Sequence, residues 1–154
     1  MPAPSSKPVH TVQVRELVEF VLRRGDLAGG ELFVIGRFKD IVIVGGNNIF
    51  PEDVEAVVNS IPGIHAGRVV AFGVEDKEYG TQGLAVVAEM KDEFDEDAAL
   101  QLEAVIRKLV LTAIGTAARY VAVVPQRWIV KSTAGKISRR ETRERFLRER
   151  LNAV

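Results

Sequence analysis

The 154-residue chain has no cysteine, which excludes disulfides, thiolate metal sites and a cysteine nucleophile. It has only two histidines, His10 and His65, too few for a histidine metal centre, so no metal site is expected. Neither charge is in surplus: Lys plus Arg is 21 and Asp plus Glu is 21, so no global field favours nucleic acid or an acidic membrane. Long apolar runs are missing as well. The stretch Val69 to Val74 is typical of what there is, far short of a membrane span, and no signal-peptide pattern opens the chain. The acidic run Asp92 to Asp97 lacks the ligand spacing of an EF-hand loop, and there is no internal repeat. What is there is a hydrophobic content of 47%, which suits a packed core and argues against disorder. These features predict a soluble, cytoplasmic, single domain. A complete enzyme with a large nucleotide pocket would be cramped at this length.

The opening MPAPSSKPVH reads as a flexible tail, taken as residues 1–12. Val14, Leu17, Val18, Val21 and Leu22 then recur at helical spacing, predicting an amphipathic helix over 13–24 that Gly25 and Asp26 stop. The β-rich runs Glu31 to Ile35 and Ile41 to Val44 read as a small antiparallel pair, and Gly45 to Asn48 as the following break. Pro51 suits a first helical position, Glu52 and Asp53 suit the positive end of the helix dipole, and Val54, Val57, Val58 and Ile61 form the buried stripe. Strands are expected at Arg68 to Val74, Leu84 to Met90 and Tyr120 to Val124. A long helix precedes the last of these, with Leu102, Val105, Ile106, Leu109 and Val110 on one face and Gly115 at its end. Ser138 followed by Glu141 is a capping-box signature for a final, Arg-rich helix to about Leu151. The order predicts an α+β domain: a small hairpin followed by a three-stranded sheet covered by helices.

Two polar, glycine-bearing segments are bounded by these elements: GRFKDIVIVGGNNIFPEDVE, Gly36 to Glu55, and VKSTAGKISR, Val130 to Arg139. In the second, Lys136 follows Gly135 and stands near Ser132 and Thr133. A lysine on such a loop can reach an anion as a mobile point charge. The GxxxxGK[ST] phosphate loop is not satisfied, because Ile137 follows the lysine, so a self-contained triphosphatase is disfavoured. Taken alone, Lys136 reads first as an exposed surface lysine, and Arg37, Lys39 and Asp40 as a solvated turn. The terminal run RRETRERFLRER holds six Arg against three Glu. RNA contact through it would show a steep salt dependence, whereas interleaved charges at i,i+3 and i,i+4 fit a solvated helix face. Trp128 reads as a packing anchor.

Together the two segments resemble the carboxy-terminal domain of the adenylate-forming superfamily: acyl-CoA synthetases, fatty acyl-AMP ligases, peptide-synthetase adenylation domains and luciferases. The family's hinge segment reads approximately GRxKDxIxxxGxNIxPxEVE. Gly36, Arg37, Lys39, Asp40, Gly46, Asn48, Ile49, Pro51, Val54 and Glu55 match it, with Val42 and Asp53 as conservative departures. Its lysine segment reads approximately PKTxSGKIxR. Lys131, Gly135, Lys136, Ile137 and Arg139 match, while Val130, Ser132 and Ala134 depart. Upstream, Gly25-Asp26-Leu27 and GGELFVIGR resemble TGDLG…GELxVxGR, with Arg24 for Thr removing a hydroxyl there. The stretch RVVAFGVEDKEYGTQGLAVVAEM is closer to the fatty acyl-AMP ligase branch, which hands the acyl group to a carrier protein.

The resemblance implies roles position by position. Lys136 matches the lysine that bridges carboxylate and phosphate during adenylation, as two meeting anions require. Asp26 matches the acid that binds the ribose hydroxyls, and Arg37 the arginine near the same ribose. Lys39 and Asp40 match the hinge about which the small domain rotates between half-reactions. Gly45 and Gly46 match the loop that then approaches the pantetheine, where absent side chains permit a close approach. The implied cofactors are ATP, with Mg, and a phosphopantetheine thiol on CoA or a carrier protein. The implied partner is a large adenylation domain, in cis or in trans, since residues 1–24 cannot supply the phosphate loop, adenine pocket and acyl pocket. No adenylation by this chain alone is expected. The alternative is a non-catalytic module that keeps the fold, residues 25–154, and docks on a carrier protein or a ligase.

Overall fold

The computed structural model describes residues 40–152. The expected tail over 1–12, the helix over 13–24 and the strand Glu31 to Ile35 lie outside the described residues, as do Asp26, Arg37 and Lys39.

The described chain opens with a short hairpin, β1 (Val42–Val44) and β2 (Asn47–Ile49), paired antiparallel with Val44 opposite Asn47. This corrects the reading of Gly45 to Asn48 as a break: only the two glycines turn, and the asparagines are strand. Gly45 and Gly46 both have positive φ, +55° and +82°. That pair of conformations makes a two-residue turn whose hand matches the strand twist, so the chain returns on itself at once.

Helix α1 (Pro51–Asn59) follows as expected, with Pro51 in its first turn and Glu52 and Asp53 beside it. Val54, Val58 and Ile61 are buried beneath it, while Val57 is only half-buried. The main sheet comprises β3 (Ile64–Asp76), β4 (Thr81–Met90) and β5 (Ala118–Val124) in the order β3-β4-β5. The first pair is antiparallel and the second parallel. A parallel pair needs a long crossover, which α2 (Glu96–Ile114) provides. Asp95 caps α2 by accepting from the Ala98 N–H at 2.7 Å, and Gly115 ends it at φ +81°.

Both faces of the sheet are covered. Val69, Ala71, Leu84, Val86, Ala88, Val121 and Val123 face α1, α2 and the small hairpin. Val70, Phe72, Val74, Ala85, Val87, Ala122 and Val124 face Trp128, Ile129 and helix α3 (Arg139–Phe146). This explains why Leu84 to Ala88 is an unbroken apolar run: a central strand buried on both sides has no solvent face to alternate with. One element of the expected α2 stripe is wrong. Val105 is 47% exposed, because residues on a helix step by about 100° and the inward line runs through Ala99, Ile106 and Val110. After α3 the chain widens into a π-helical turn, Leu147–Leu151. No described helix is long and apolar enough to cross a membrane.

Both outer edges of the sheet are occupied by side chains. Along β3, the Ala71 N–H donates to Glu55 at 2.9 Å, and the Ala71 and Gly73 carbonyls accept from Arg139 and Arg143 at 3.0 and 2.9 Å. Along β5, the Val123 N–H donates to Glu103 at 3.0 Å, and the Ala118 carbonyl accepts from Arg107 at 2.9 Å. The terminal arginines therefore do more than solvate a face. Arg140–Glu144 and Arg145–Glu149 are i,i+4 pairs as expected, but Arg139, Arg143 and Arg145 reach inward to main-chain carbonyls.

Candidate functional site

Lys136 lies on a hairpin built from its own short segment. Lys131 and Ile137 are bridged antiparallel, the Ser132 N–H donates to the Lys136 carbonyl at 2.7 Å, and the Gly135 N–H closes the turn onto the Ser132 carbonyl at 2.9 Å. Gly135 supplies the positive φ, +77°, that this turn requires. At the base, the Ser138 N–H donates to the Val130 carbonyl at 2.9 Å, and the Val130 N–H donates to the hydroxyl of buried Thr142 at 3.1 Å. Strand alternation does the rest: Ile137 packs against the apolar cluster around Trp128, so Lys136 beside it points away and is exposed. Its side chain forms no ion pair with a described residue.

The next residues fix this hairpin to α3. The Ser138 hydroxyl accepts from the Glu141 N–H at 3.3 Å, as the capping signature predicts. Trp128 is a packing anchor: it is 9% exposed, its carbonyl accepts from Arg145 at 2.7 Å, and the Arg145 guanidinium stacks over its ring at 4.5 Å. Buried Glu89, at the end of β4, accepts from the Ile129 N–H at 2.9 Å and holds the same loop to the sheet.

Asp40 is where the two motifs meet. Its carboxylate pairs with Arg139 at 3.1 Å, and the same guanidinium reaches Glu55 at 2.8 Å and Glu52 at 3.6 Å. One arginine from the lysine segment thus gathers three acids of the hinge segment, and its Nε donates to the Ala71 carbonyl. Burial pushes the Glu55 carboxyl above its ordinary range, and the Ala71 N–H and Arg139 offset this only in part. Burial also opposes the charge on Arg139, but Glu55, Glu52 and Asp40 outweigh it and hold the guanidinium firmly protonated. Arg139 and Glu55 matched the motifs without an assigned role. Their partnership depends on residues 84 positions apart, which no local pattern reveals.

Gly45 and Gly46 are exposed, and a Cβ added to either would meet nothing within 4 Å. Their turn is anchored by two residues that the motifs do not contain. Thr81 and Gln82, at the start of β4, hydrogen-bond the main chain of Ile43 and Gly45. Among the described residues, no three His, Asp or Glu side chains converge as a metal site.

The fold and these two linked segments define a class: a small α+β domain that presents a glycine turn and an exposed lysine, joined through the Asp40–Arg139 pair. No family model matches the chain. It is 37% identical over 141 residues to a long-chain-fatty-acid–AMP ligase of Mycobacterium marinum, covering 86% of this chain and 23% of that protein. Among solved structures, the A-PCP portion of McyG complexed with phenylalanyl-adenylate aligns with TM-score 0.71 and 26% identity, over 81% of this chain and 19% of that one. A Mycobacterium tuberculosis fatty acyl CoA synthetase aligns with TM-score 0.60 and 26% identity, over 77% of this chain and 22% of that one. These likenesses fit the C-terminal domain of the adenylate-forming superfamily. The chain spans less than a quarter of the length of these relatives.

Proposed function

We propose that this chain is the small, rotating domain of an acyl-adenylate-forming ligase and contributes Lys136 to carboxylate activation. In the first half-reaction a carboxylate oxygen attacks the α-phosphorus of ATP, which enters with its Mg²⁺ as substrate, and pyrophosphate leaves. In the second, a pantetheine sulfur attacks the acyl carbon, loses its proton, and AMP leaves. Lys136 fits the first step because it is an exposed cation beside the Gly135 turn of a hairpin whose main chain is already hydrogen-bonded. It can therefore enter a site on another domain without rearranging its own. A cation between two approaching anions stabilises the charge that builds up in the transition state. Asp26 and Arg37 are assigned to the ribose, Lys39 and Asp40 to the hinge, and the Gly45–Gly46 turn to the thiol arm. The acceptor proposed is a carrier protein or CoA, and the partner a large adenylation domain.

The observation that carries this reading is the Arg139 linkage, which makes the hinge acid Asp40 and the lysine hairpin parts of one body. A rotation at Asp40 would then carry Lys136 with it. The test joins the chain to the large domain of a related ligase that lacks its own small domain. ATP–pyrophosphate exchange should appear only with the chain present, and Lys136→Ala should cut it by about 100-fold or more. Transfer from a preformed adenylate should fall far less. Equal loss in both half-reactions, or no loss at all as a docking module predicts, would refute the assignment.

A further inference from the structure

β1 uses one edge to pair with β2, and its other edge presents three successive main-chain groups: the Ile43 N–H, the Ile43 carbonyl and the Gly45 N–H. Two side chains of β4 take all three. Gln82 Oε1 accepts from the Ile43 N–H at 2.9 Å. The Thr81 hydroxyl accepts from the Gly45 N–H at 3.0 Å and donates to the Ile43 carbonyl at 3.2 Å. Thr81 and Gln82 thus stand in for a third strand beside the hairpin. The Thr81 hydroxyl is used in both directions, which fixes its orientation. Gln82 has its own support, because it lies over Gly73, where an added Cβ would meet the Gln82 amide at 2.9 Å. A three-pair hairpin is marginal without such help. The root of the turn is clamped to the main sheet, whereas its tip at Gly45 and Gly46 is open.

We propose that Thr81 and Gln82 are positioning residues for the Gly45–Gly46 turn, setting where its main chain meets the pantetheine thiol arm. The role rests on the ligase reading above. It acts through the turn, so its loss falls on thiol transfer more than on adenylation.

The experiment has two arms. In the 154-residue chain, amide hydrogen exchange followed by NMR reads the anchor directly. Thr81→Val should speed exchange at Gly45 by about fivefold, the worth of one hydrogen bond, while Ala85 and Val87 in β4 stay protected. Thr81→Ser, which keeps the hydroxyl, should restore the wild-type rate. In the chain joined to a large adenylation domain, with coenzyme A or a phosphopantetheinylated carrier as acceptor, Thr81→Val should raise the KM for the thiol by about fivefold. Pyrophosphate exchange should fall by a smaller factor, Thr81→Ser should recover transfer, and Gln82→Met should reproduce the loss. Unchanged exchange at Gly45, equal losses in both half-reactions, or failure of Thr81→Ser to rescue would overturn the proposal. If the wild-type assembly makes no adenylate, the ligase reading falls and the transfer role with it. The Gly45 exchange rate still judges the anchor separately.

Discussion

Two glycine turns carry the residues of interest, and they are held in opposite ways. The Gly45–Gly46 turn is short and is clamped from outside, by Thr81 and Gln82 reaching across from β4. The hairpin bearing Lys136 is held from within, by Ser132, Gly135 and Ser138 of its own segment and by Thr142 one turn into α3. The difference matches what the roles proposed above would ask of each. A turn that offers bare main chain to a ligand needs its position set by the sheet. A lysine is a long, mobile point charge, and its loop needs only to be stiff and joined to whatever moves it. Arg139 makes that join, tying the lysine segment to Asp40 and Glu55.

The sharpest way to break the comparison is to cut the tie. Arg139→Met leaves the Glu55 carboxylate without its cation and the Ala71 carbonyl without its donor. It should destabilise the domain by about 3 kcal/mol, measured by urea unfolding, because removing one partner of a largely buried pair strands the other. The glycines come next. Gly46→Ala and Gly135→Ala each force a side chain into the left-handed region with open space around it, so the expected cost is strain alone, about 1–2 kcal/mol. Asparagine at either place should recover part of that loss. A cost far above this range would mean that the turn has no room for a Cβ, against the open space seen at both positions.

The smallest effect is on pH dependence. The Glu55 carboxyl titrates above its ordinary value of 4.5 in the folded chain. Its contribution to stability is therefore full below the unfolded value and falls as pH rises through the folded one. The stability of the wild type relative to Glu55→Gln should decline from acid toward neutral pH. An advantage that grows toward neutrality would show that Arg139 outweighs the burial of Glu55.

Much of this architecture was legible. Pro51, Glu52 and Asp53 announced α1, Ser138 and Glu141 announced α3, and the unbroken run Leu84 to Ala88 marked a strand. These signals are local, because a cap or a fixed φ acts within one turn of chain. Asn47 and Asn48 were misread since asparagine is uncommon in strands, and here the glycine turn, not side-chain preference, sets the pairing. Val105 was placed inward because a stripe read from spacing alone has no fixed centre until the sheet beneath it is known. The candidate lysine was visible from its motif. Its supports were not: Thr81, Gln82, Glu55 and Arg139 act across 16 to 99 positions, and such partnerships exist only after folding.

The two sealed edges of the sheet bear on how such a domain lives beside others. An open strand is a template on which a neighbouring chain can add itself. Here Glu55, Arg139 and Arg143 occupy one border, and Glu103 and Arg107 the other, with charged side chains where a foreign strand would dock. In the rotation proposed above, such a body would spend part of its time with new surface uncovered. Charged borders would let it do so without offering a neighbouring copy an open strand.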